Sequence, residues 1–211
     1  MTYICPICRT NFCSKHFDKW WNPDTFNYES GSWSLATYCA SHFDIWWNPN
    51  KYNWRDSSWR LAKYCHMYFD IWWNPNKYNW RDSYALAEYC HDHFDKWWDE
   101  NKFDWEAGSR ELAKYCSKHF ETWWNPTRYD WLFSSAALAQ YCSKYFDIWW
   151  DENKFNWNNA SWTLAKYCYM HFDKWWNSEK YNAEYITHLE QYCGKYQAKW
   201  TSLKLYASLT A

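Results

Sequence analysis

The stretch Ser58–Trp80, SWRLAKYCHMYFDIWWNPNKYNW, is the unit from which this chain is built. Its pattern returns along the chain, and one cysteine marks the register of each copy. These cysteines are Cys13, Cys39, Cys65, Cys90, Cys116, Cys142, Cys168 and Cys193. They are 26 residues apart, except for two steps of 25. A period of about 20 to 50 residues is typical of stacked structural repeats, so we expect one elongated body with a continuous core.

Apolar residues recur within this copy at the spacing of a helix rather than a strand. They are Leu61, Cys65, Tyr68 and Trp72. We expect Ser58 to cap a helix of about 15 residues. Asn74-Pro75 should end that helix, because proline cannot continue the hydrogen-bond ladder. A short helix is then expected over 75–79, ending near Trp80.

The sequence therefore predicts an all-α fold, a tandem-repeat α-solenoid of about seven repeats of ~26 residues, each a long helix plus a short helix. Residues 1–16 are expected to form a small zinc-knuckle cap, and residues 17–182 the repeats. Residues 183–211 are expected to form a C-terminal capping helix, with one longer helix running from Glu184 to about Leu205. Terminal repeats need a polar outer face, which is the expected role of this cap.

Aromatic residues dominate the composition, with 23 Trp, 20 Tyr and 12 Phe among 211 residues. Most copies carry a tryptophan doublet, such as Trp72-Trp73. We expect both rings in the core, because exposing so much aromatic surface would promote aggregation. The alternative is an exposed aromatic ladder that binds bases or sugars.

The formal net charge of −1 gives no overall attraction to nucleic acid or to an anionic membrane. No apolar run approaches the roughly 20 residues that span a bilayer, and the first twelve residues do not resemble a signal peptide. We expect a cytoplasmic or nuclear protein in a reducing compartment, of cellular or viral origin. One cysteine per repeat is expected to be a small, buried thiol rather than half of a disulfide.

Four potential metal ligands lie near the N-terminus, namely Cys5, Cys8, Cys13 and His16. Tyr3-x-Cys5-x2-Cys8-x3-Phe12 resembles the first half of a two-Cys, two-His zinc finger, in which a hairpin knuckle offers two thiolates. The resemblance covers about a dozen residues and lacks the later pair of histidines. Cys13 and His16 are spaced to share a helix face, so they could complete a tetrahedral site for one structural Zn²⁺ ion.

Cys13 and His16 also fill ordinary repeat positions, since Cys39 and His42 have the same spacing without a knuckle. A row of metal ions along such pairs is disfavoured, because Tyr68 and its equivalents replace the histidine in some copies. The metal site is instead expected to close one end of the repeat array.

An acidic residue recurs late in each predicted long helix, with a cation seven residues later. The expected ion pairs are Asp44–Lys51, Asp70–Lys77, Asp95–Lys102, Glu121–Arg128, Asp147–Lys154 and Asp173–Lys180. Each would clamp a short helix onto a long one, since the helix dipole disfavours the acid at its position. An alternative is that the acid accepts an indole N–H.

Information for recognition must lie where the copies differ. One such column stands six residues before the cysteine, and its candidate partner-binding residues are Trp33, Trp59, Tyr84, Arg110 and Trp162. Trp, Tyr and Arg are the residues most often found in binding hot spots. The column could line a groove, or its variation could be drift on a solvated face.

The leading interpretation is a non-enzymatic helical-repeat protein that binds another protein through these variable positions. Nearly every candidate catalytic residue recurs in every copy, whereas an active site is normally a single constellation. No small-molecule substrate is evident. One alternative is a self-assembling structural protein, such as a viral or cellular coat. The other is a single-stranded nucleic-acid binder, which the charge balance disfavours unless Lys63, Lys114, Lys144 and Lys166 share a face.

Overall fold

The computed structural model describes residues 3–201 and confirms an all-helical, repeated architecture. The main helices are α1 (Tyr28–Tyr38), α3 (Trp54–Tyr64), α5 (Ser83–Tyr89), α7 (Trp105–Tyr115), α9 (Trp131–Tyr141), α11 (Trp157–Tyr167) and α13 (Ile186–Tyr192). Short helices alternate with them: α2 (Phe43–Trp46), α4 (Phe69–Trp72), α6 (Phe94–Trp97), α8 (Phe120–Trp123), α10 (Phe146–Trp149) and α12 (Phe172–Trp175). A 3-10 turn leads into each short helix. Among the described residues, β-structure is limited to one bridge between Ile4 and Asn11.

The chain forms two compact units, Met1–Ala107 and Gly108–Ala211. In the first unit α1 packs on α3, and α3 packs on α5. In the second unit α9 packs on α11, and α11 packs on α13. Each unit therefore stacks the long helices of consecutive copies side by side, which is the arrangement expected of a helical repeat.

Five long helices, α1, α3, α7, α9 and α11, begin four residues before the serine that the sequence predicts as the cap, whereas α5 begins at its serine, Ser83, after a 3-10 turn at Trp80–Asp82. The N-cap of α3 is Asn53, whose side chain accepts a hydrogen bond from the Asp56 amide at 3.2 Å. Ser58 lies inside the helix, where it is buried and its hydroxyl donates to the Trp54 carbonyl. The same hydroxyl accepts the backbone N–H of Asn79 at 3.1 Å. Asn79 is the N-cap of the helix that starts at Trp80, so in the structure the next copy starts there rather than at Ser83. Serine favours both roles, and here it joins two copies rather than starting a helix.

The predicted 15-residue helix is interrupted at Cys65, whose backbone leaves the helical region with φ −119° and ψ 21°. The Cys65 carbonyl then accepts two hydrogen bonds, from the Tyr68 amide at 2.9 Å and from the Trp72 indole at 2.8 Å. The chain then continues through the 3-10 turn His66–Tyr68 into α4. The expected pairing of a long with a short helix is therefore present, but the short helix is the end of the predicted long one.

The segment after the tryptophan doublet is a turn and not the helix predicted over 75–79. The Asn74 carbonyl accepts the amides of Lys77 and Tyr78 at 3.1 and 3.0 Å, and Tyr78 returns to the core. Asn74-Pro75 thus stops the chain as expected, and the next copy begins at Trp80.

The first tryptophan is fully buried in the six doublets from Trp46-Trp47 to Trp175-Trp176, which confirms its place in the core, whereas Trp20 of the first doublet is half-buried. The first tryptophan packs against the phenylalanine three residues earlier, with ring centres 5.0 Å apart for Phe69 and Trp72. The second ring, Trp73, is half-buried and stacks on the other side of Phe69 at 5.3 Å. It therefore closes the edge of the core, and a fully exposed aromatic ladder is not formed by either ring.

The last copy repeats this pattern, with α13 ending at Cys193 and a 3-10 turn at Gly194–Tyr196. The single longer helix expected over 184–205 is therefore broken at Cys193, and residues 202–211 lie outside the described part. Groups that face the preceding copy are kept: the Cys193 thiol donates to the Ala165 carbonyl, and the Tyr196 ring stacks on Phe172 at 4.3 Å.

Positions that would face a following copy are changed in this last copy. Gln197 and Glu190 stand where Phe69 and Ala62 stand in the copy of Ser58, and both are exposed. These substitutions give the last copy a more polar side than its predecessors, in keeping with the expected capping role.

Replacing Trp46 by phenylalanine should lower the free energy of unfolding by about 2 kcal/mol, because a buried carbonyl loses a donor and a small cavity opens. The Trp46 indole lies 2.7 Å from the Cys39 carbonyl in a site that excludes water. Trp47→Phe is the matched control, since it makes the same change at a half-buried ring outside this bond. Denaturant titration of both variants measures the difference. Equal losses would show that the indole bond contributes nothing beyond ring size.

Candidate metal centre and surface columns

A tight hairpin at the N-terminus brings two cysteines side by side. The Cys5 amide donates to the Thr10 carbonyl and the Arg9 amide to the Cys5 carbonyl, both at 2.9 Å. Arg9 and Phe12 adopt left-handed backbone angles, with φ of 57° and 52°. Non-glycine residues rarely adopt this conformation, and such strain tends to persist where a site requires it. The hairpin has the form expected of a metal-binding knuckle.

The predicted ligand set converges at the end of this hairpin. The His16 Nδ1 atom lies 3.6 Å from the sulfur of Cys5 and 3.6 Å from that of Cys13. Cys8 completes the group, and the four ligand atoms all lie within 4.8 Å of one another. Ligands about 2.3 Å from a tetrahedral ion lie about 3.8 Å apart, so a small contraction would close the site. This Cys3His group could hold a metal ion.

The thiols of this group differ in acidity. The Thr10 hydroxyl, 3.0 Å from the Cys8 sulfur, and the Thr10 amide lower the pKa of Cys8 to about 5. The hydrogen bond shared with Cys8 raises the pKa of Cys13. Metals bind thiolates, so Cys8 offers one ready ligand in an exposed position, and an ion would have to draw the proton from Cys13.

The contacts of the other copies explain why Cys13 and His16 face the knuckle. In later copies the cysteine sulfur points at a carbonyl of the preceding copy, as Cys65 does toward Ala36 at 3.8 Å. The residue three positions on stacks on the preceding phenylalanine, as Tyr68 does on Phe43 with ring centres 4.5 Å apart. In the first copy the knuckle lies on that side instead.

The same contacts explain the exchange of histidine and tyrosine at this position. His42, His93 and His171 stack on the preceding phenylalanine with ring centres 4.4 to 4.6 Å apart, as Tyr68 does. The position requires a flat ring rather than a ligand. Within residues 3–201 the Cys5, Cys8, Cys13 and His16 group is the one cluster of three or more potential ligands with metal-ligand geometry.

The structure pairs the predicted acids and cations differently from the sequence expectation. Asp70 pairs with Lys96 of the next copy at 2.6 Å, and Lys77 donates to the Pro49 carbonyl and to Asn50 at 2.8 and 2.9 Å. The reason is the break at Cys65, because it places Asp70 in the first turn of α4, facing the next copy.

The same register shift recurs in the other copies. Asp147 pairs with Lys174, and Asp173 with Lys199. The lysines of the other predicted pairs also have different partners: Lys51 with the Pro23 carbonyl, Lys102 with Asp99, Lys154 with the Pro126 carbonyl and Asp151, and Lys180 with Glu152. The remaining expectations, a partner for Asp44 or Asp95 and the Glu121–Arg128 pair, stay predictions. Most of these exposed contacts link consecutive copies, whereas Lys102–Asp99 and Lys154–Asp151 lie within one copy, and each contributes little to stability.

The predicted partner-binding column lies on the long helices at positions that reach solvent. Trp33 is 38% exposed and Arg110 is exposed, whereas Trp59, Tyr84 and Trp162 are half-buried. None of these rings belongs to the fully buried core, so the column differs from the tryptophan doublets.

Sequence reasoning missed the cation that organises this column in the first unit. The Arg60 guanidinium lies 4.1 Å from the centre of the Trp59 ring and 5.4 Å from that of Trp33. Both distances are within the range of cation–π attraction. Beside Arg60 opens a groove of about 330 Å³, lined in part by Glu29, Asn53 and Asp56. The sequence contains a signal for this arrangement. Trp33 and Trp59 are the one pair of consecutive tryptophans in the column, and Arg60 directly follows Trp59.

Comparison of the chain with protein-family models, with curated proteins and with solved structures finds no match. Within residues 3–201, no helix has both the length and the apolar character that crossing a membrane requires. Function must therefore be argued from the geometry described above.

Proposed function

We propose that this chain is a non-enzymatic repeat scaffold that binds another protein through the column of Trp33, Trp59, Tyr84, Arg110 and Trp162. The observation that carries the proposal is the arrangement at Arg60, whose guanidinium lies within cation–π distance of the Trp33 and Trp59 rings, and which lines an open groove together with Trp33. Tryptophan, tyrosine and arginine are the residues most enriched among the binding hot spots of protein interfaces. The rest of the molecule is a lattice of identical contacts, which suits a scaffold better than an active site.

The metal of the N-terminal group is proposed to be Zn²⁺. Three thiolates and one imidazole in a tetrahedral cluster are a common structural zinc set. The ion would act as a cap, since the knuckle lies where each later copy has a preceding copy. Zinc thiolates and reduced buried cysteines favour a reducing compartment, cytoplasmic or nuclear.

The zinc proposal predicts about one equivalent of zinc per purified chain and a lower melting temperature in chelator. His16→Ala should lower the zinc content to less than half an equivalent, because it removes one of four ligands. His171→Ala is the matched control: the same change at the same repeat position, at a ring that stacks on Phe146. Metal analysis by mass spectrometry decides, and equal zinc in both variants would contradict the assignment.

For protein binding, we expect Trp33→Ala and Trp59→Ala each to weaken the partner complex by at least about tenfold. The scaffold already accepts alanine in this column at Ala136, so the fold should tolerate both changes. Ile71→Ala is the control, at a side chain that is 58% exposed on a short helix. Immobilised wild-type chain selects the partner, and titration calorimetry with the purified partner compares the variants. Unchanged affinity in both tryptophan variants would remove the column from the interface.

Self-assembly is the second candidate, and one copy favours it. Leu132 and Phe133, in the first turn of α9, are 62% and 77% exposed. The other described copies carry polar, charged or small residues at these two positions, apart from Tyr185. A groove lined by Trp131, Lys154 and Trp157 adjoins Leu132. Two adjacent apolar side chains beside a groove are the kind of patch that mediates association.

If the chain assembles through this patch, Leu132→Glu with Phe133→Ala should return it to a monomer, because it gives this copy the pair found at Glu106-Ala107. Light scattering during size-exclusion chromatography measures the mass at several concentrations. Ile148→Ala is the control substitution, at another exposed apolar side chain. A wild-type chain that remains monomeric at high concentration would rule assembly out and leave the binding column as the better proposal.

A further inference from the structure

A tyrosine directly precedes the cysteine at the end of every long helix in the described chain. These residues are Tyr38, Tyr64, Tyr89, Tyr115, Tyr141, Tyr167 and Tyr192, and all of them keep part of the ring in solvent. The position just before the tyrosine differs from copy to copy, as Lys63, Glu88 and Gln140 show. Tyrosine occupies this partly exposed position in every described copy, although the residue before it varies. We take this as a sign that the ring contributes to binding as well as to packing.

Two contacts of one lysine set an upper limit on the spacing of neighbouring tyrosine rings in the first unit. The Lys63 ammonium lies 5.4 Å from the centre of the Tyr64 ring and 5.5 Å from that of Tyr89. The two ring centres are therefore no more than about 11 Å apart, in line with the ~8–10 Å between packed helices. A polyproline II helix advances about 3.1 Å per residue with three residues per turn, or about 9 Å per turn. The length of one turn of such a peptide, about 9 Å, is therefore compatible with the distance between neighbouring tyrosine rings.

The chemistry of the tyrosine ladder also suits a polyproline II peptide. Its backbone carbonyls make no internal hydrogen bonds, so they remain available to phenol and ammonium donors. Its proline rings pack on aromatic side chains, and little conformational entropy is lost because the helix is already formed. Because the tyrosines recur at a regular spacing, the surface favours a peptide whose own residues recur at a regular spacing.

The charged residues beside the tyrosines indicate that the second unit is the better binding surface and that the peptide is acidic. Lys114 donates to the Tyr115 hydroxyl at 2.8 Å, and the Lys166 ammonium lies 5.1 Å from the Tyr167 ring. In the part of the chain that the structure describes, neither lysine has a carboxylate within ion-pair distance. Gln140 stands between them at the intervening copy. Two copies correspond to about 20 Å, which six residues of polyproline II nearly span.

We propose that Tyr115, Tyr141 and Tyr167, with Lys114 and Lys166, form a binding surface for a proline-rich, acidic segment in the polyproline II conformation. The inference names the chemistry of the partner and so rests on the proposed function, since Trp162 of the column lies 6.4 Å from Tyr167. Single-stranded nucleic acid is the less favoured occupant. The equivalent surface of the first unit carries Glu88, and the chain has a net charge of −1.

The test uses the full chain and three synthetic peptides of equal length. The first repeats Pro-Pro-Glu four times, which sets one carboxylate on each turn. The second replaces Glu by Lys, and the third replaces both prolines by Gly-Ser. Titration followed by tryptophan fluorescence should show saturable binding of the first peptide, at least about tenfold tighter than either of the others.

Variants locate the surface. Tyr141→Ala should weaken binding of the Pro-Pro-Glu peptide by at least about fivefold, and Lys114→Gln with Lys166→Gln should weaken it and reduce its salt dependence. Ile148→Ala, on the short helix α10, should bind as the wild type does. Circular dichroism confirms that each variant is folded.

Four results would overturn the inference. Equal binding of the Gly-Ser peptide would show that conformation is not read, and equal binding of the lysine peptide would show that charge is not read. Binding of oligouridylate in place of all three peptides would assign the surface to nucleic acid. If none of the peptides binds while the selected partner still depends on Trp33 and Trp59, the inference fails alone and the proposed function stands.

Discussion

The structure depends on one hydrogen bond made eight times, between the indole of a tryptophan and the carbonyl of the cysteine seven residues before it; seven of these tryptophans are buried, and Trp20 is half-buried. This bond joins Trp72 to Cys65 in the copy described first and recurs from Trp20 and Cys13 to Trp200 and Cys193, at 2.7 to 3.0 Å. A helix that ends inside a core leaves carbonyls without partners, at a cost comparable to a lost hydrogen bond. The indole supplies the missing donor and allows the helix to stop there. The end of the helix in turn determines where the phenylalanine, the acidic residue and the second tryptophan of each copy lie.

Once the helix stops at the cysteine, the contacts between copies follow. The thiol reaches a carbonyl of the preceding copy, and burial raises the pKa of thiols such as Cys65 and Cys142 to about 12, so they stay protonated. The buried serine accepts an amide from the following copy. Cys13 and Cys193 are the first and last cysteines of the register, and their surroundings differ from those of the others. Cys13 turns its sulfur to a knuckle, while Cys193 keeps its backward contact and is followed by polar substitutions.

Much of this architecture could be predicted from the sequence, because the period, the helical spacing of Leu61, Cys65 and Trp72, and the four ligands at the N-terminus are local signals. The break at Cys65 could not, since cysteine is not a helix breaker and the partner that makes the break favourable lies seven residues away. Ser58 was misassigned for a related reason: a serine hydroxyl can cap a helix or bond inside one, and its second partner, the Asn79 amide, belongs to the next copy. The acids were assigned to the wrong lysines because that register depends on the break.

The candidate metal group and the proposed binding column are connected through one aromatic residue. Phe12, held in a left-handed conformation at the end of the knuckle, lies 6.1 Å from the Trp33 ring and 6.4 Å from the Tyr38 ring. Phe12, which lies between the ligands Cys8 and Cys13, therefore supports the Trp33 ring of the column and Tyr38, the first tyrosine of the ladder. An ion that tightens Cys5, Cys8, Cys13 and His16 also fixes the position of Phe12, because the loop between these ligands contains it. The cap would then do more than close the array, since it would also hold one end of the proposed recognition surface in place.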